Sequence, residues 1–179
     1  RKAASTSVGA VSNELLNFVS NGILENFDPV YGGFGQDAKF PQTGLIENLW
    51  SAHLRTGHSN YRTAVIETLS SICNRSLFDH VRGGFFRYTV DDAWSVPHFE
   101  KMLYDNALLV SLLSTVHKFE PLPVFEDCTT RTCEWLIREM QLSSGGFASS
   151  LSADSPTQSD PDVLAEGIFY TCTSEEILS

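Results

Sequence analysis

The sequence predicts an all-α fold of stacked helical hairpins forming part of a closed ring, and three observations carry that prediction. Apolar residues recur at the helical period along most of the chain, so successive amphipathic helices are expected. Three Gly-Gly-Phe loops, at 32–34, 83–85 and 145–147, each follow a long helix and precede another, at spacings of 51 and 62 residues, which marks a repeated unit. The segment from Phe99 to Val116 is apolar on nearly every side, as a helix buried all round must be. Helices leaving each loop should then line the inside, with the returning helices outside. A closed ring needs about twice this length, so the 179 residues are read as a single domain that is a fragment of the ring.

The elements follow in order. Val8, Val11, Leu15, Leu16, Val19, Ile23 and Leu24 give one amphipathic helix over 5–26. Tyr31-Gly32-Gly33-Phe34-Gly35 and Lys39-Phe40-Pro41 form a shaped loop, since Pro41 disfavours helix at the residue before it. A helix over 44–56 buries Leu45, Ile46, Leu49, Trp50 and Leu54, and Gly57 ends it. Ser59 and Asn60 cap a helix reaching about Leu77, with Tyr61, Val65, Ile66, Leu69 and Ile72 inward. The second glycine loop follows, and Phe85-Phe86-Arg87-Tyr88 has the alternation of a short strand. Pro97 fits the first turn of a helix, so the next helix should start beside His98 and close at His117-Lys118. After Pro121 and Pro123 comes a helix over 124–141, then the third loop and an exposed, mobile insertion over 156–162. Residues 166–170 read as a short strand, and Thr173-x-x-Glu176 as a capping box whose helix the sequence cuts short.

Composition excludes several functions. A net charge of −10 with no basic stripe argues against nucleic acid and anionic membranes. The longest apolar run, 107–116, falls short of the roughly 20 residues that span a bilayer. Arg1 to Ser5 carries no targeting signal. Cys73, Cys128, Cys133 and Cys172 form no C-x-x-C pair, which predicts reduced thiols and a cytoplasmic location.

The chemistry concentrates in Trp94 to Asn106, where His98, Glu100, Lys101, Tyr104 and Asp105 crowd one predicted helix start. On a helix His98, Lys101 and Asp105 share one face and Glu100 and Tyr104 another. Both sit beside the glycine loops, within reach of Asp79, His80, Tyr88, Asp91 and Asp154. His98 is a candidate acid or base near neutral pH, and paired carboxylates suit glycosyl or enol chemistry. An ion-pair network tying loop to helix explains the same residues without chemistry, since a buried charge needs a partner. No H-x-x-x-H or H-E-x-x-H spacing suggests a metal, and the glycine loops lack the pattern of a phosphate cradle, so no cofactor is expected. Tyr31, Phe34, Phe85, Phe86, Tyr88, Trp94, Phe147 and Tyr170 are either core or the floor of a sugar pocket.

Four motifs then resemble the YyaL/spermatogenesis-associated protein 20 family. They are Gly32-Gly33-Phe34-Gly35 with Lys39-Phe40-Pro41; Asp79-His80 with Gly83-Gly84-Phe85 and Arg87-Tyr88; the run from Val96 to Asp105; and Ala153-Asp154-Ser155 with Glu166-Gly167. The resemblance implies part of an (α/α)6 toroid like those of N-acylglucosamine 2-epimerases and six-hairpin glycosidases, with short β-hairpin-like loops at the Gly-Gly-Phe motifs and the motif residues around a central cavity. It also implies that the family's N-terminal thioredoxin-like domain and the later hairpins are absent from this chain. The sequence departs from the family pattern at Arg82 and Phe86, where a third glycine and a histidine are usual, at Ser152, where an aspartate is usual, and at Cys172, where a tryptophan is usual.

The expected function is a sugar-directed enzyme of epimerase, isomerase or glycosidase-like type. His98 would act as acid or base, Glu100, Asp105 and Asp154 as carboxylates that bind hydroxyls or move protons, and Arg87 and Lys101 as charge stabilisers. Tyr88, Asp91, Trp94, Tyr104, Asp79, His80 and Glu166 complete the predicted substrate site. The alternative is a non-catalytic scaffold working with the thioredoxin-like domain in redox or protein-quality functions.

Overall fold

The computed structural model describes residues 11–157 and 160–174. Its helices are α1 (Asn13–Leu24), α2 (Thr43–Thr56), α3 (Ser59–Asn74), α4 (Leu103–His117) and α5 (Pro123–Trp135), the last running on into a π-helical turn, Leu136–Met140. Short strands join them: β1 (Tyr88–Thr89), β2 (Pro97–His98), β3 (Lys101–Met102), β4 (Ser150–Leu151), β5 (Asp154–Pro156) and β6 (Leu164–Glu166). Helix α2 packs on α3 and α4 on α5, while α2 also meets α4 and α3 meets α5. This is the predicted two-layer stack, with α2 and α4 inside and α1, α3 and α5 outside. Ile46, Leu49, Val65, Leu69, Ile72, Leu109, Leu113, Val116 and Phe125 fill the space between the layers, all 0–1% exposed. Each such side chain contributes about 1.5–3 kcal/mol by leaving water. At the end away from the glycine loops, Arg62 at the start of α3 donates twice to Glu120 in the α4–α5 turn.

Local chemistry sets the helix ends. The Ser12 hydroxyl accepts from Leu15 N–H and opens α1, and Gly57 closes α2 with φ of 75°. Val8 and the Thr173–Glu176 box extend outside the described residues. Ser59 lies within the first turn of α3 instead of capping it, and His58 holds the cap position with no side-chain bond. The π turn arises where Gln141 N–H reaches the Leu136 carbonyl.

The largest correction falls on the stretch from Pro97 to Met102. It is extended, so α4 starts at Leu103 and His98, Glu100 and Lys101 do not lie on a helix. Pro97 suits an edge strand as well as a first helical turn, and partners decide between them. Tyr88 pairs with His98 and Thr89 with Pro97, while Lys101 pairs with Leu151. The reversal before it passes through Trp94 at φ 58°. Two further expectations change. Helix α4 leaves Tyr104, Ala107, Leu108, Ser111 and Thr115 exposed along one face, so it is not buried all round. The strand expected at 166–170 is Leu164–Glu166, pairing with Asp154–Pro156 across the polar insertion, and a turn at Gly167 follows it.

The first two glycine loops are held by matching lysine sockets. Asp28 caps its own turn by accepting from Val30 and Tyr31 N–H, and Lys39 donates to its carboxylate and to the Gly32 carbonyl. Asp79 accepts from Val81 and Arg82 N–H, and Lys101 donates at 2.8 Å both to it and to the Gly83 carbonyl. Trp94 backs Gly33 and Trp135 backs Gly84; a β-carbon at either glycine would sit 2.6 Å from the indole. Both glycines also have φ of +81°, so a side chain is barred twice over. Strand alternation then turns the neighbours of each buried lysine, Phe40 on one side and Glu100 and Met102 on the other, toward the opposite face.

Candidate functional site

The site is assembled by those turned-out residues. Lys39 exchanges backbone hydrogen bonds with Thr89, which brings Phe40 beside Tyr88. The two rings stack at 4.6 Å with 19° between planes, and the His98 ring stands edge-on to Tyr88 at 4.8 Å. Opposite Asp154 in the β5–β6 pair, Glu166 reaches His98, with Nδ1 2.7 Å from Oε1. With Nδ1–H donating to that carboxylate, Nε2 is the ring nitrogen that Glu166 does not engage. Asp154 itself is exposed.

Next to this aromatic wall, Arg87 Nη1 donates to Glu100 at 2.8 Å while Arg87 N–H donates to the Glu100 carbonyl. Glu100, with Tyr104 nearby, holds the guanidinium above its ordinary value. Asp105 stands in the first turn of α4. Burial pushes its carboxyl up to about 6, helped by Glu100 and opposed by Arg87 and Tyr104. Two polar atoms of this group, Arg87 Nε and Asp105 Oδ2, are shielded from water without a hydrogen-bond partner. Asp105, Tyr104 and Leu108 line a pocket of about 430 Å³ against Phe40, Pro41 and Thr43 at the start of α2. That volume is within the range of small-molecule sites, about 300–1,000 Å³. A cavity of about 500 Å³ between α1 and the start of α3 contains none of the predicted site residues, and one of about 490 Å³ at the first glycine loop contains only Tyr31 of the candidate floor aromatics.

The structure thus gathers Arg87, Tyr88, His98, Glu100, Tyr104, Asp105 and Glu166, with Asp154 alongside through its strand. Of these, Tyr104 and Asp105 line the pocket, while Tyr88 and His98 are linked to it through Phe40; the predicted binding residues outside this group lie elsewhere. Lys101 and Trp94 are 0% exposed and Asp79 7%, all within the sockets. Burial lowers the Lys101 ammonium, with Asp79 opposing; burial works against the Asp79 carboxylate, yet Lys101 and two backbone N–H groups keep it below its usual value. Asp91 accepts from the N–H groups of Ala93, Ser95 and Val96 and braces the β1–β2 turn. His80 is tied to the Arg75 carbonyl and lies edge-on to Phe78. Of the candidate floor aromatics, Phe34, Phe85, Phe86 and Trp94 are core. Tyr170 stacks on Phe99 and covers Lys101, and burial raises its phenol to about 12. Phe40 was missed as a site residue; its signal was the buried Lys39 beside it. Among the described residues no cluster of three or more side chains could hold a metal ion. No helix there is long and apolar enough to cross a membrane.

No family model matches the chain. It is 35% identical to spermatogenesis-associated protein 20 from Homo sapiens over 157 residues, which is 86% of this chain and 20% of that protein. It is 31% identical to an uncharacterised protein of Caenorhabditis elegans over 93% of this chain and 24% of that one. The chain therefore spans only about a fifth to a quarter of the relatives it matches. Among solved structures, cellobiose 2-epimerase from Spirochaeta thermophila superposes with a TM-score of 0.62 at 18% identity, over 84% of this chain and 45% of that one. A D-mannose isomerase gives 0.60 at 17% identity, covering 79% and 40%. A heparin-specific unsaturated glucuronyl hydrolase gives 0.66 at 9% identity, covering 77% and 42%. At these identities the likeness is one of fold. The chain belongs to the spermatogenesis-associated protein 20 family and carries part of a helical toroid of the kind found in sugar epimerases and six-hairpin glycosidases.

Proposed function

We propose that the chain supplies the acid/base wall of a carbohydrate cavity in a sugar epimerase, isomerase or glycosidase-like enzyme. The observation that carries this reading is Asp105, a carboxyl pushed up to about 6 beside a pocket. Near neutral pH such a group both takes and returns a proton, as exchange at a carbon next to a sugar carbonyl requires. His98, oriented by Glu166, is the second proton-exchanging group. The Phe40–Tyr88 stack offers an apolar surface for the C–H face of a sugar ring, and Arg87, braced by Glu100, can stabilise a developing oxyanion.

The test is turnover of D-mannose and cellobiose by the full-length protein and its His98→Ala and Asp105→Asn variants. With folding intact, each substitution should lower kcat by about 100-fold or more. Unchanged turnover removes that residue from the mechanism. The scaffold reading is favoured by one feature, the complete internal pairing of Lys39 and Lys101. Working with a thioredoxin-like domain in the full-length protein, a scaffold would give no sugar-dependent rise in melting temperature.

A further inference from the structure

The first two Gly-Gly-Phe loops are closed by equivalent parts, and the third is open. The leading glycine of loop one rests on the α3 backbone and that of loop two on the α5 backbone. A β-carbon there would lie 3.0 Å from Thr68 Cα in the first case and 2.5 Å from the Arg131 carbonyl oxygen in the second. In each case the closing element is the second helix downstream of the loop, in the outer layer. The loop phenylalanine is buried as a result, Phe34 to 4% exposure and Phe85 to 0%.

Loop three has a related backbone frame that is one residue shorter. Leu142 N–H donates to the Gly146 carbonyl as Asp28 and Asp79 donate to those of Gly33 and Gly84. Gln141 bridges Phe147 as Phe27 bridges Phe34 and Phe78 bridges Phe85. Yet no described residue lies within 4 Å of a β-carbon at Gly145, and Phe147 is 42% exposed, with Leu142 of the same loop at 51% and Ile137 of the preceding π turn at 63%. Exposed apolar side chains on and beside a formed loop mark a surface left for a partner to cover.

We propose that this third loop is the docking socket for an outer helix of a further hairpin of the same polypeptide, located C-terminal to residue 179. The repeat names the occupant, because the second helix downstream closes both other loops. The lengths allow it, since the matched relatives are about four to five times longer than the aligned region. That helix lays its backbone on Gly145 and covers Phe147 with apolar side chains.

The test uses the full-length protein that carries this chain, with the photo-cross-linker p-benzoylphenylalanine at position 147. Irradiation should give an intramolecular cross-link that mass spectrometry maps to a helix beyond residue 179. In parallel, Phe147→Asp should lower the melting temperature by at least about 5 °C, comparable to Phe85→Asp. Links to a second molecule, links to residues N-terminal to Arg1, or no link overturn the proposal. So does a Phe147→Asp melting temperature within about 1 °C of the parent.

Discussion

Asp105 is the residue whose protonation has the clearest consequence. Its folded value near 6 lies above the unfolded value of 3.8, so its contribution to stability is fully present below pH 4 and is lost as pH rises through 6. Asparagine cannot ionise and keeps that contribution. Asp105→Asn should therefore match the parent near pH 4 and exceed it above pH 6 by about 1–2 kcal/mol, the full linkage value being reduced by partial contact with solvent. Thermal denaturation at pH 4 and pH 7.5 measures this, and equal melting temperatures at the higher pH would refute the assigned burial effect. The same carboxyl is thus destabilising when ionised and useful for moving a proton.

At the scale of elements, the lysine sockets decide where the strands lie. Removing Lys101 leaves Asp79, only 7% exposed, as a buried carboxylate without its cation. Lys101→Met should cost about 3–5 kcal/mol, and adding Asp79→Asn should restore part of it because the unpaired charge is gone. A double-mutant cycle in urea reads the coupling; strict additivity would mean that the pair does not interact. This element was the least legible in the sequence. A two-residue strand has no periodicity to detect, and Pro97 was compatible with both a helix start and an edge strand. The pairings with Tyr88–Thr89 and Ser150–Leu151 settled the conformation, and both are tertiary. Once the segment is extended, alternation buries Lys101 and presents Glu100, a distinction no helical wheel could make. The helices were far more readable, because runs such as Tyr61, Val65, Leu69 and Ile72 repeat at one period and are all 0–4% exposed.

At the scale of the whole molecule, the repeat of Gly-Gly-Phe loops made the hairpin stack legible from sequence. The candidate site was legible by residue type at His98 and Asp105, but Phe40 became part of it only through the Lys39–Thr89 pairing. Charge sets the stability profile of the assembled fold. Burial works against ionisation at Asp28, Asp79, Asp91 and Glu139, yet lysine, arginine and backbone N–H partners hold all four below their ordinary values; Arg62 does the same for Glu120. Depressed carboxylates contribute stability above their unfolded values, near 4, and lose it as pH falls through the folded ones. Together with the opposite trend at Asp105, this places maximal stability at about pH 4–6. A calorimetric pH series checks it, and a melting temperature that rises steadily from pH 5 to 8 would contradict it.

The sockets also bear on how such hairpins can diverge. An aspartate without its lysine, or a lysine without its aspartate, is a buried lone charge, so descent through single changes passes through a weakened protein. Both members are therefore inherited together or discarded together. At the third loop the aspartate is gone: Leu142, whose N–H bonds the Gly146 carbonyl, stands where Asp28 and Asp79 stand in the other two, and none of residues 119–179 is a lysine.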